Sequence, residues 1–118
     1  MKTILVVDDD ETFVAVLSNQ LRALGFGVIE NTSGTDVLRQ IDVHGPVACF
    51  IDVVMEAKDG LETMTEIVMR DTRPKLIAVS SNTMYLEWAE GLGVDAVLGK
   101  PVFPQQLREL LTRLDICP

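Results

Sequence analysis

Five short apolar runs recur along the chain: ILVV at 4–7, GVIE at 27–30, VACFI at 47–51, KLIAV at 75–79 and DAVL at 95–98. Runs of this length, rich in valine and isoleucine and bounded by polar or turn-forming residues, predict strands. Their near-continuous apolar character is that of strands covered on both faces. Between them the apolar positions change period. Phe13, Leu17, Leu21 and Leu24 recur at three- and four-residue spacing and stop at Gly25, which predicts an amphipathic helix. Val37, Leu38 and Ile41 predict a second helix, with Ser33 as its cap, and Leu61, Met64, Ile67 and Val68 predict a third. Residues 83–91 predict a fourth, crowded at its end by Gly91 and Gly93. Pro104 opens a fifth, with Leu107, Leu110, Leu111 and Leu114 on one face.

Strands alternating with helices imply βαβ units, hence a parallel sheet with helices on both faces. The predicted class is α/β, doubly wound, with five units and the strand order 2-1-3-4-5. In that order strands 1 and 3 are neighbours and the chain reverses direction between them. Ligands of such sheets bind outside the carboxyl ends of the strands at this switch point. Asp8 and Asp9 follow the first strand and Asp52 follows the third, so three carboxylates are expected to converge on one crevice. Unpaired, they would repel one another and raise each other's pKa. A hard divalent cation such as Mg2+ relieves that repulsion. Ser80 ends the fourth strand and Lys100 the fifth, on the same rim. The lysine suits a phosphate oxygen, and the hydroxyl can donate to another.

Taken singly, each of these residues has a plainer use. An aspartate after a strand is often a helix N-cap, and Asp10 fits that role. Ser80 alone is a turn residue and Lys100 alone a solvated charge. An apolar strand ending in two aspartates also occurs in Walker B elements, but Gly99-Lys100-Pro101 is not the phosphate loop such a protein needs. Convergence on one sheet edge is what sets the functional reading above these.

Composition narrows the rest. A chain of 118 residues, 47% apolar and 24% charged, predicts a single globular domain spanning 1–118. The formal net charge of −8 argues against direct nucleic-acid binding, which needs a basic face. Two cysteines, Cys49 inside an apolar run and Cys117 near the end, make no disulfide framework and suit a reducing compartment. The first apolar run breaks too early for a signal peptide, and no run reaches membrane-spanning length, so a cytoplasmic location without membrane contact is expected.

The full set of motifs resembles the response-regulator receiver domains of two-component phosphorelay systems, the CheY-like family. The matching features are the acidic pair Asp8-Asp9, Asp52 followed by Met55 and by Asp59-Gly60, the hydroxyl of Ser80, the spacing of Ala89 and Gly93, and Lys100-Pro101. The resemblance covers essentially the whole chain and implies a flavodoxin-like (βα)5 three-layer sandwich. It implies that Asp52 is the phosphoacceptor for a sensor histidine kinase or phosphotransfer protein. It further implies that Asp8, Asp9, Asp52 and the backbone carbonyl of Val54 hold Mg2+, with Mn2+ able to substitute. Lys100 and Ser80 would contact the phosphoryl group, and a cis peptide would precede Pro101. Such a domain catalyses its own aspartyl phosphorylation and dephosphorylation without being an enzyme in the ordinary sense. Val54 and Asn82, two residues beyond Asp52 and Ser80, would flank the path of a hydrolytic water.

Some positions depart from the family pattern. Glu56 replaces the usual proline after the methionine. Val97 replaces the aromatic residue three before the lysine, so a switch that moves an aromatic ring inward is not available there. A conformational change is instead expected to stay near residues 80–90, where the stretch from Ser80 to Ala89 is about two residues short of the pattern and holds Tyr85 and Trp88. No segment for an output domain follows the fifth helix in this sequence, so, unless it is a piece of something longer, the expected output is contact with a downstream protein that the sequence does not identify. One alternative is a pseudo-receiver that keeps the fold for protein binding without phosphorylation. Glu56 and Val97 favour it; the complete set Asp8, Asp9, Asp52, Ser80 and Lys100 disfavours it. An enzyme is a second alternative. A haloacid-dehalogenase-like phosphatase would want an aspartate at Val54, and a flavodoxin would want a hydroxyl- and glycine-rich loop where Asp8 and Asp9 stand.

Overall fold

A computed structural model of the chain describes residues 1–55 and 59–118. Ten elements alternate: β1 (Thr3–Val7), α1 (Glu11–Ala23), β2 (Gly27–Asn31), α2 (Val37–His44), β3 (Ala48–Asp52), α3 (Gly60–Val68), β4 (Lys75–Ser80), α4 (Thr83–Gly91), β5 (Ala96–Gly99) and α5 (Pro104–Arg113). The five strands are all parallel, in the order β2-β1-β3-β4-β5. The doubly wound topology read from the alternation of runs is therefore the one observed.

Strand alternation divides the core into two layers. Ile4 and Val6 of β1, Phe50 of β3 and Ile77 and Val79 of β4 pack against α1 and α5. Their neighbours Leu5, Val7, Cys49, Ile51 and Ala78 face the other way, against α2, α3 and α4. The three inner strands are buried on both sides apart from Thr3 and Lys75 at the starts of β1 and β4, while β2 and β5 lie at the edges and are half-covered. Burial holds the Cys49 thiol in its protonated form, its pKa pushed up to about 12, so it behaves as a small core residue. Cys117 is exposed. Among the described residues no helix is long and apolar enough to cross a membrane.

Several predicted boundaries shift. β3 runs from Ala48 to Asp52 rather than from 47 to 51, β5 from Ala96 rather than from Asp95, and Ser80 is still within β4. Ser33 does not cap α2. The helix starts at Val37, after Asp36, whose φ of 60° is left-handed and whose side chain makes no capping bond. The reason is a competing acceptor. Buried Asn31 takes the Ser33 amide and hydroxyl, both at 3.0 Å, and the Gly34 amide at 2.9 Å on its Oδ1. Its amide nitrogen donates to Thr35 O and Gln40 Oε1. These bonds close a side-chain turn that holds Ser33 in the loop. Asp10 does cap α1, accepting the Phe13 amide at 3.2 Å. α4 is short and regular over Thr83–Gly91, capped by Asn82, with Ala89 as its one buried residue. Glu56 lies outside the described residues.

Candidate functional site

β1 and β3 are hydrogen-bonded neighbours, and both deliver an aspartate at the carboxyl edge. Asp8 directly follows β1, its amide still bonded to Asn31 O of β2 at 3.0 Å. Asp52 is the last residue of β3. Asp8, Asp9 and Asp52 each offer a carboxylate oxygen, and these oxygens lie within 4.8 Å of one another. Asp8 and Asp52 are buried and Asp9 is exposed.

Lys100 completes the cluster from the far edge of the sheet. Its Nζ lies 2.7 Å from Asp8 Oδ2 and 3.6 Å from Asp52 Oδ2. The first contact is an ion pair by distance rather than a directed hydrogen bond, because Asp8 Oδ2 is buried without a hydrogen bond of good angle. The same ammonium sits 4.4 Å from the centroid of the Phe13 ring. The Lys100-Pro101 peptide is cis, as the resemblance implies.

The electrostatics follow from these neighbours. Burial pushes the Asp52 carboxyl up, and the charge of Asp8 pushes it further. Lys100 and the Val54 amide pull it back, leaving a pKa of about 6. For Lys100 burial disfavours the ammonium, but the Asp8 contact and the charges of Asp52, Asp8 and Asp10 outweigh it, and the pKa is raised. Among the described residues the crevice thus sets the Lys100 ammonium against the carboxylates of Asp8, Asp9 and Asp52.

Continuing the strand alternation, Asp8, Asp52 and Lys100 fall on the α1/α5 face, in step with Val6, Phe50 and Leu98. Ser80 falls in step with Ala78, toward the α2–α4 face. It is buried, and its Oγ accepts the Asn82 amide at 3.0 Å. Of the five predicted groups the structure thus draws four into one cluster and leaves Ser80 on the same rim, engaged with the start of α4. The Val54 amide lies 3.4 Å from Asp52 Oδ1, and its side chain is half-exposed. Val54 shares a shallow cleft of about 250 Å³ with Met55, Asp59, Leu61, Tyr85 and Trp88. Tyr85 and Trp88 pack edge to face there, 5.2 Å apart. Val97 is half-buried against the second core layer.

Two residues that sequence reading passed over support the cluster. Phe13 has the spacing of a core residue on α1, and nothing in that spacing signals its contact with Lys100. Gly60 is visible only as half of an Asp-Gly pair. A Cβ on it would stand 2.2 Å from Asp52 O and 2.6 Å from Val53 O. The missing side chain lets the first turn of α3 press against the end of β3, where the Gly60 amide donates to Val53 O at 3.1 Å.

A doubly wound sheet whose switch point gathers carboxylates and the Lys100 ammonium defines a class of α/β proteins with a cation-competent acidic crevice, and known sequences narrow that class to one family. The family model for the response regulator receiver domain matches residues 4–112, and the chain belongs to that family. The transcriptional regulatory protein PrrA of Mycobacterium tuberculosis is 32% identical over 113 residues, covering 94% of this chain and 47% of that protein. The alkaline phosphatase synthesis transcriptional regulatory protein PhoP of Bacillus subtilis is 27% identical over 108 residues, covering 90% of this chain and 45% of its own. The chain thus spans about half the length of these relatives. A response regulator signal receiver domain from Bermanella marisrubri superposes with a TM-score of 0.86 at 27% identity, covering 96% of this chain and 97% of that one. A CheY-like receiver domain from Methylobacillus flagellatus gives 0.85 at 26% identity, covering 97% and 98%.

Proposed function

We propose that residues 1–118 act as one receiver unit in which Asp52 accepts a phosphoryl group from the phosphohistidine of a sensor histidine kinase or phosphotransfer protein. The observation that carries this reading is the convergence of Asp8, Asp9 and Asp52 with Lys100 at one sheet edge. The donor set is all oxygen, and Asp8 Oδ2 is buried without a directed hydrogen bond, which fits a hard divalent cation. Asp8, Asp9 and Asp52, with the Val54 carbonyl, would hold Mg2+ or Mn2+. When bound, that ion supplies positive charge against the oxygens of the incoming phosphoryl group.

The remaining chemistry belongs to side chains. An Asp52 carboxylate oxygen forms the new bond to phosphorus as the donor's phosphorus–nitrogen bond breaks, leaving an acyl phosphate and a free imidazole. With a pKa of about 6, Asp52 is mostly ionised at neutral pH and available as the nucleophile. Lys100 then finds a phosphoryl oxygen in place of the Asp52 oxygen it now faces. Ser80 can turn from the Asn82 amide to donate to another. Such transfer asks a protein mainly for position and charge neutralisation. Movement of Ser80 loosens one contact at the head of α4 and biases that short helix between two arrangements that a downstream protein can read.

The test is intact mass after incubation with acetyl phosphate or phosphoramidate. One phosphoryl group is expected in Mg2+ and none in EDTA; equal modification in both would refute the metal's part. A second expectation concerns persistence. Valine at 54 offers no hydrogen bond to orient an attacking water, and its methyls stand in the cleft mouth. Val54→Asn is expected to shed the phosphoryl group about tenfold faster, a contact worth about 1–2 kcal/mol. Equal or slower loss from the variant, followed by mass or by released phosphate, would discard that role for Val54.

A further inference from the structure

We propose that Phe13 is a positioning residue for Lys100: the face of its ring holds the ammonium over the crevice when a divalent cation takes the carboxylates that now pair with it. This rests on reading the crevice as a phosphoryl-accepting site.

The contacts of Lys100 divide into two kinds. Asp8 Oδ2 at 2.7 Å and Asp52 Oδ2 at 3.6 Å hold it by charge. Both carboxylates belong to the trio that a hard cation would claim, and that cation would also repel the ammonium. A lysine has a flexible stem and disperses unless something fixes its head. The Phe13 ring, 4.4 Å from Nζ to centroid, is the other kind of contact. An aromatic face attracts a cation within about 6 Å of its centroid. It carries no formal charge and no oxygen, so a hard cation does not compete for it. The attraction is strengthened by partial desolvation, since the Lys100 side chain is only 18% exposed.

The ring is itself held in place. Phe13 lies in the first turn of α1, its amide bonded to the Asp10 cap at 3.2 Å, and its half-buried side chain packs against the core between α1 and the sheet. A leucine would keep the helical spacing and an apolar side chain against that core. What leucine lacks is the negatively polarised face under the ammonium, and this separates a positioning role from a core one.

The experiment uses the whole chain with lysine labelled at the ε-carbon. In wild-type protein the Lys100 ε-protons should be displaced upfield by the ring current and remain so when Mg2+ is added without any phosphodonor. Phe13→Leu should lose the displacement, and in Mg2+ its Lys100 signal should collapse to the position of a free lysine. With phosphoramidate and Mg2+, Phe13→Leu should be phosphorylated about three- to tenfold more slowly. Mono-, di- and trifluorinated phenylalanine at position 13 preserve shape and drain the ring face, so the rate should fall stepwise along that series. A wild-type ring-current shift that disappears on adding Mg2+ would overturn the proposal, as would a flat rate across the fluorinated series. If wild-type protein accepts no phosphoryl group at all, the reading of the crevice fails. The Mg2+ titration of the ε-protons would still decide the place of Phe13.

Discussion

Asp52→Asn protein is expected to gain no phosphoryl group from a small phosphodonor under conditions that modify the wild type fully. The amide oxygen is a poor nucleophile and an amide cannot form the acyl phosphate. Asp8 and Asp9 remain, but Asp8 is paired with Lys100 and Asp9 lies on the exposed side, so neither inherits the role. Persistent modification of the variant, located by peptide mapping, would move the phosphoacceptor elsewhere.

The same substitution should also change stability, with a sign set by the raised pKa of Asp52. Its folded value is about 6, against 3.8 for an ordinary, solvated aspartate. Between those values the folded state keeps a proton that the unfolded state has released, so wild-type stability falls as pH rises through this window. Above it the folded protein carries an unfavourable carboxylate, which asparagine removes while Lys100 keeps Asp8 as its partner. In EDTA, Asp52→Asn is therefore expected to melt above wild type at pH 8. The difference should shrink as pH falls through 6 and disappear near the unfolded value. A gap that is constant between pH 4 and pH 8 would contradict the cause assigned here.

Gly60→Ala is expected to be the more damaging of the single substitutions outside the carboxylates. Propensity alone argues the other way, since alanine is favoured over glycine within a helix by up to about 1 kcal/mol. The new methyl, however, would meet backbone atoms of Asp52 and Val53 at 2.2 to 2.8 Å, and backbone cannot turn aside as a side chain can. Overpacking typically costs about 1–3 kcal/mol, and a backbone collision belongs at or above the top of that range. Against a total stability of about 5–15 kcal/mol for a domain of this kind, the protein should still fold, but with a much lower urea midpoint. Relief of the clash would require α3 to lift from β3 and carry the Asp52 carbonyl with it, so phosphorylation should slow as well. An unchanged or raised midpoint would show that the close approach of α3 to β3 is not what the glycine serves.

How much of this was legible in the sequence depended on how local its cause is. Asp8, Asp52 and Lys100 could be placed together because near-continuous apolar runs lead into them and the topology brings those ends to one edge. Ser33 could not be read correctly, because its partner Asn31 is a buried asparagine whose choice of turn over helix depends on Thr35 and Gln40 as well. Phe13 looked like core because its spacing is that of core, and only the path of Lys100 across the sheet turns it toward the site. Gly60 carried a motif but no reason, since the reason is a second chain segment a few ångströms away. The division of the rim, with Asp8, Asp52 and Lys100 to one side and Ser80 to the other, is implicit in the parity of the strands. It becomes visible only once the register is known.

That division has a thermodynamic consequence. The sheet separates the two hydrophobic layers almost everywhere, and its carboxyl rim is where one small group can be touched from both. Under the proposed function, a phosphoryl group on Asp52 bonded to Lys100 and to Ser80 couples the α1/α5 side to the α4 side. Such coupling is reciprocal. A downstream protein that binds the α4 side tenfold more tightly in the phosphorylated form must stabilise that form by the same factor, about 1.4 kcal/mol. The listener at α4 therefore biases the message it reads, and the occupancy of Asp52 becomes a joint property of donor, domain and target.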